Sequence, residues 1–153
     1  MTTRDANAVE KEVRIAARPE TVLSFFTDQD RLLRWMGMSG SLDIRPGGAF
    51  RLVINDENIA GGAFVAIEPP HRLVMTWGWE GAGNPMPPGS TTVEVTLTAD
   101  GDGTLLRLVH RDLPAAAMHD HLAGWEHYLA RLAIVAAGGD AGPDGHMSGE
   151  PLR

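Results

Sequence analysis

The chain contains no cysteine. That excludes disulfides, thiolate nucleophiles and thiolate-bound metals, and it leaves no redox argument for a place outside the cytosol. Positive charge is scarce as well: 13 Lys plus Arg stand against 20 Asp plus Glu, for a net charge of −7. Nucleic acid or an anionic membrane surface needs a basic footprint that this composition does not supply. Long apolar runs are missing too. No stretch approaches the roughly 18 residues of a membrane span, and the opening MTTRDANAVEKEV has no apolar core of a signal peptide. Also absent are a Gly-x-Ser-x-Gly elbow, a phosphate loop, a dinucleotide fingerprint, paired carboxylates on one face and any internal repeat. These absences predict a cytoplasmic protein with no cofactor, no metal, no nucleic-acid partner and no membrane partner.

What is present is an ordinary globular balance: 153 residues, 43% hydrophobic and 22% charged. The length suits one domain with a sizeable core. VEKEVRIA (9–16) alternates Val9, Lys11, Val13 and Ile15 against charges, the signature of a half-buried strand. Pro19 and Glu20 then open a helix whose inner side is Val22, Leu23, Phe25 and Phe26. A second short helix carries Leu32, Leu33, Trp35 and Met36 and stops at Gly37. From there the period changes to two. Strands are expected at 41–45, 49–55, 62–68, 72–80, 91–99 and 104–110, separated by Pro, Gly, Asn and Asp turns. One long amphipathic helix follows over about 115–137, with Met118, His121, Leu122, Trp125, Tyr128, Leu129 and Leu132 on its inner side. Its outer side takes His119, Asp120, His127 and Arg131. The predicted domain spans 9–137, with loose tails at 1–8 and 138–153.

Consecutive strands on short turns predict an antiparallel meander, hence an α+β architecture: a curved sheet of six to seven strands under one long C-terminal helix. LVMTWGWE (73–80) puts Leu73, Met75, Trp77 and Trp79 on one face of its strand. A helix about 10 Å across cannot fill the hollow of so wide a sheet, so the same geometry predicts a cavity walled by Trp77 and Trp79.

Several motifs occur in order: Ala17-Arg18-Pro19-Glu20, LLRWM (32–36), DIRPGGAFRLV (43–53), IEPPHRLVMTWGW (67–79), GTLLRLVHRDLP (103–114) and HLAGWEHYLARLA (121–133). Together they resemble the bacterial branch related to the activator of heat-shock protein 90 ATPase, within the START-like (SRPBCC) superfamily, over roughly residues 10–135. The resemblance implies the helix-grip fold, with two short helices after the first strand and the long helix across the concave face. It also implies a pocket used by carriers, cyclases, dehydratases, hydrolase subunits or chaperone regulators, since such a fold hosts many functions. The large N-terminal domain of the eukaryotic activator is not in this sequence, which places chaperone contact behind ligand binding.

The residues expected to line the cavity are Trp35, Met75, Trp77, Trp79, His110, His121, Trp125 and Tyr128. The leading expectation is a protein that binds an apolar or aromatic small molecule. The second is a pocket enzyme with His110 or His121 as general acid or base, since both face inward and imidazole titrates near neutrality. The third is a module that regulates a chaperone. The bland alternatives are core packing for the tryptophans and a buried carbonyl partner for each histidine. Metal binding is not expected: His119 and His121 lie about 200° apart around a helix, and no inward carboxylate accompanies His110. Gly124 sits mid-helix, where it serves close packing or makes room beside Trp125. Pro85, Met86, Pro87 and Pro88 form either a pocket lid or an ordinary hairpin loop. The sequence leaves a homodimer open.

Overall fold

The computed structural model describes residues 8–142; most of the two expected tails lies outside them. The strands are β1 (Val9–Ile15), β2 (Ser39–Leu42), β3 (Ala49–Val53), β4 (Ile59–Glu68), β5 (Arg72–Trp79), β6 (Thr91–Asp100) and β7 (Gly103–Arg111). They form one sheet in the order β1-β7-β6-β5-β4-β3-β2, every neighbouring pair antiparallel. Hairpins build the run from β2 to β7, and β1 closes on the far edge against β7. Two short helices, α1 (Pro19–Thr27) and α2 (Gln29–Leu32), link β1 to β2. The long helix α3 (Met118–Ala136) follows a 3-10 turn at Ala115–Ala117 and contacts β1 and α1.

Local chemistry explains the boundaries. Pro19 begins α1, as its fixed φ favours. Helix α2 is only one turn, capped by the Asp28 carboxylate accepting from the Arg31 N–H. Trp35 and Met36, expected within it, lie beyond its end, yet both are buried. The strand expected at 41–45 instead ends at Leu42, because residues 43–48 close a hydrogen-bonded turn: Arg45 N–H donates to Asp43 and Gly48 N–H to Arg45. A Cβ at Gly48 would stand 2.1 Å from the Asp43 carbonyl, so this turn requires glycine. Strand β4 begins three residues before the expected 62 and takes in Gly61 and Gly62. It carries a bulge between Phe64 and Ala66, a feature that bends a strand and increases its twist.

The core lies between the concave face and α3. Its inward stripes are Leu73, Met75, Trp77 and Trp79 on β5, Val93, Val95 and Leu97 on β6, and Leu106, Leu108 and His110 on β7. From α3 come His121, Trp125, Tyr128, Leu129 and Leu132. Leu122, expected inside, is exposed: the buried face runs through 121, 125, 128 and 132, and Leu122 lies one residue off it. Lys11, which interrupts the β1 stripe, reaches Glu126 on α3 at 3.2 Å. The helix ends at Ala136 with Ala137 as its C-cap, and beyond it Gly138 (φ +96°) donates to Val135 and Gly139 to Ile134. Residues 141 and 142 then lie back along α3, their carbonyls accepting from Arg131.

Candidate functional site: an aromatic cluster under the C-terminal helix

Register brings the site together. Trp77 on β5 pairs with Thr91 on β6, and Val93 on β6 pairs with His110 on β7. Trp125 and His121 descend from α3, one turn apart. The rings meet at contact distance: Trp77 lies 5.4 Å from Trp125, 5.7 Å from Trp79 and 5.6 Å from Phe50, centroid to centroid. His110 and His121 stand edge to face at 5.4 Å. Such tilted and edge-on pairs are the arrangement aromatic quadrupoles favour.

The broad hollow expected between sheet and helix is therefore largely filled. Three indoles converge from β5 and α3, and each is among the bulkiest side chains a core can hold. What remains beside them is a void of about 30 Å³, lined by Met36, Ile54, Trp77, Trp79, Asp120, His121, Gly124, Trp125 and Tyr128. That admits about two waters or the end of a larger molecule. A smaller void of about 20 Å³ lies under Trp77, between Met75, Phe26, Phe50 and Trp125. The larger space is outside: a cleft of about 500 Å³ between residues 81–86 and the start of α3, walled by Asn58, Trp79, Met86, Pro114, Ala117 and His121 among others. Trp79 and His121 belong to both walls.

Hydrogen bonds settle the proton positions of both histidines. The Thr91 hydroxyl donates to the Trp77 carbonyl at 2.7 Å, so it accepts from His110 Nε2–H, also at 2.7 Å. The Trp125 indole N–H can only donate, and it does so to His110 Nδ1 at 3.0 Å. His110 is thus the neutral Nε2–H tautomer. His121 is the opposite one: Nδ1–H donates to the Ala117 carbonyl at 2.7 Å, and Nε2 accepts from the Trp79 indole at 3.0 Å. A proton added to either ring would face an indole donor. Burial pushes His110 from 6.5 down to about 3, with His121 adding to the shift. Burial also lowers His121, against the pull of the Ala117 carbonyl and Asp120. Both nitrogens of each ring are engaged, so proton transfer through either first requires an indole hydrogen bond to break.

One donor stands apart. The Trp35, Trp79 and Trp125 indoles all have acceptors, whereas the buried Trp77 Nε1–H has none among the described residues.

Of the eight residues expected to line a cavity, Trp77, Trp79, His121, Trp125 and Tyr128 wall the 30 Å³ void. His110 lies behind Trp125 as its hydrogen-bond acceptor, and Met75 borders the smaller void. Trp35 is not part of the cluster: it packs edge-on to Phe26 at 5.1 Å and donates to the Phe25 carbonyl. Sequence reasoning missed Met36, Ile54, Asn58, Pro114 and Asp120. Of these, Met36 reads in the sequence as an apolar residue of the second short helix and Asn58 as a turn residue, while Asp120, expected on the outer side of α3, borders the void although exposed. Gly124 lines the void, and a Cβ there would meet nothing within 4 Å, so it makes room and does not serve close packing. Met86 is buried in the cleft wall; its carbonyl accepts from Trp79 N–H at 2.6 Å, which folds the 81–88 loop onto β5.

A seven-stranded antiparallel sheet gripping a long C-terminal helix, with two short helices after the first strand, is the helix-grip α+β fold of START-like (SRPBCC) proteins. Residues 16–137 match the family "Activator of Hsp90 ATPase homolog 1-like protein", and the chain belongs to that family. Solved relatives agree. An AHSA1-like protein from Rhizobium etli is 42% identical over 95% of this chain and 91% of its own, with a TM-score of 0.70. CalU16 from Micromonospora echinospora is 32% identical, covering 86% of this chain and 76% of its own, with a TM-score of 0.70. DynU16, described as a putative protein in the dynemicin biosynthetic locus, is 25% identical over 88% of this chain, which spans 49% of that protein, at a TM-score of 0.75. No curated protein matches the chain. No helix among the described residues is long and apolar enough to cross a membrane.

Proposed function

We propose that this chain is a small-molecule binding protein that receives an apolar or aromatic ligand between the 81–86 loop and the start of α3. The body of the ligand occupies the cleft of about 500 Å³, a volume within the range of small-molecule sites. Its inner end enters the void beside Trp77. The observation that carries this reading is the unmatched N–H of Trp77, a residue that lines that void. A buried donor left unpaired costs about 1–3 kcal/mol, and a ligand acceptor atom recovers it. Likeness to a protein of a biosynthetic locus supports the same reading.

A panel of aromatic and aliphatic metabolites tests it by thermal shift and calorimetry. A ligand at 100 times its Kd adds about 2.7 kcal/mol to stability. Trp77→Phe stays aromatic but removes the donor and part of the ring, so it weakens a ligand that bears an acceptor, and the cavity it leaves in the packed cluster is offset in part by removal of the unpaired N–H. A panel in which nothing raises Tm or releases heat overturns the proposal.

A further inference from the structure

The ionic character of the walls narrows the ligand's chemistry. Asp120 is the sole Asp, Glu, Lys or Arg in either wall among the described residues. His121, which borders both spaces, is held neutral by its two hydrogen bonds. The sheet's arginines are committed elsewhere: Arg51 to Glu80, Arg72 and Arg111 to Glu94, Arg107 to Glu10. A carboxylate or phosphate entering the site would lose its hydration, gain no cation and approach a like charge. A neutral carbonyl can accept from Trp77 N–H, and an ammonium entering the same void can face Asp120 in its wall. Resting on the binding reading above, we infer that the site selects by charge: it takes neutral aromatic ketones, quinones or amides, or aromatic amines, and refuses carboxylates, with Asp120, in the wall of the inner void, as the residue that sets the preference.

Three naphthalenes of one shape test this: 2-acetylnaphthalene, 2-(aminomethyl)naphthalene and 2-naphthoate, titrated calorimetrically at neutral pH. The expected order places the ketone and the amine together and naphthoate on the order of 100-fold weaker, as an unpaired buried charge requires. Asp120 is exposed, so its replacement leaves the fold intact, which circular dichroism verifies. Asp120→Asn weakens the amine about threefold, the scale of an exposed ion pair, and leaves the ketone unchanged. Asp120→Arg brings naphthoate to parity with the amine or above it. Naphthoate binding the native chain as tightly as the ketone overturns this inference and leaves the binding reading standing. Silence from all three, and from the wider panel, overturns both. An amine that ignores Asp120→Asn removes Asp120 as the determinant and overturns the inference in that form.

Discussion

The buried histidines make stability depend on acid in a way that surface residues do not imitate. Unfolded, His110 takes a proton as pH falls below 6.5; folded, it refuses one until about 3. The unfolded state therefore binds more protons between those values, and stability falls as pH falls through the window. Each pH unit is worth about 1.4 kcal/mol, so His110 alone removes about 2 kcal/mol between pH 6.5 and about pH 5, out of a domain stability of roughly 5–15 kcal/mol. His121, lowered in the same direction, adds to the slope. The shifted carboxylates act elsewhere. Glu80 and Glu94 lie below 4.5 because of their arginine partners, so what they contribute is lost only below about pH 4.5. The window above pH 5 thus belongs to the imidazoles. His110→Gln is the informative variant, since an amide can accept from Trp125 and donate to Thr91 without titrating. Urea unfolding at about pH 7 and about pH 5 should show the wild type losing about 2 kcal/mol more than His110→Gln. Equal losses would refute both the neutral tautomer and the network that fixes it.

Other perturbations read the same structure. Thr91→Val leaves His110 Nε2–H and the Trp77 carbonyl without their partner and should cost about 2–4 kcal/mol in denaturant unfolding; a loss under about 1 kcal/mol would show that the relay is not formed. Trp79→Phe removes the donor that opposes protonation of His121, so the imidazole pKa followed by NMR should rise, and an unchanged titration would contradict the assigned tautomer. Gly124→Ala gains up to about 1 kcal/mol of helix propensity with no clash, raising Tm while narrowing the void and weakening any ligand; a drop in Tm would mean the position is packed. Gly78→Ala sets a Cβ 1.8 Å from the Pro87 carbonyl and should detach the 84–88 segment, seen as new protease cleavage there and a stability loss of several kcal/mol, on the order of core overpacking or more.

Elements with a strong period were legible before any coordinates. The alternation in β5 named its inward residues, that in β7 turned His110 inward, and Pro19 announced α1. Edges were less legible because tertiary contacts decide them. Nothing local in DIR (43–45) forbids a strand; the turn that ends β2 is made by backbone bonds to residues as far on as 49. The expected start of β4 at Gly62 fell three residues late, and glycine is required at 62 itself because Thr76 crosses too close for a side chain there. The site was half legible. Phase along β5 and α3 put Trp77, Trp79, His121 and Trp125 together, but phase carries no volume, and so it could not show that the rings would close on one another and leave a void of about 30 Å³.

Two departures from good local chemistry meet at that void. A tight core pairs its buried indole donors, and this one pairs three of four, leaving Trp77 unmatched. A long helix avoids glycine at its centre, and α3 keeps Gly124 where no neighbour forbids a methyl group. Each forgoes about 1 kcal/mol or more of available stability. Tolerated singly, either would be unremarkable; placed in the wall of one cavity, they share an explanation. Sequences that specify a fold agree with themselves at every level except where function takes precedence, and the Trp77–Gly124 wall is where this chain disagrees with itself twice. The histidines beside it follow the opposite rule, with every nitrogen matched and every proton assigned. The rigid half of the cluster is therefore the His110–Trp125–Thr91 relay, and the half left incompletely packed is the face that Trp77 shares with α3.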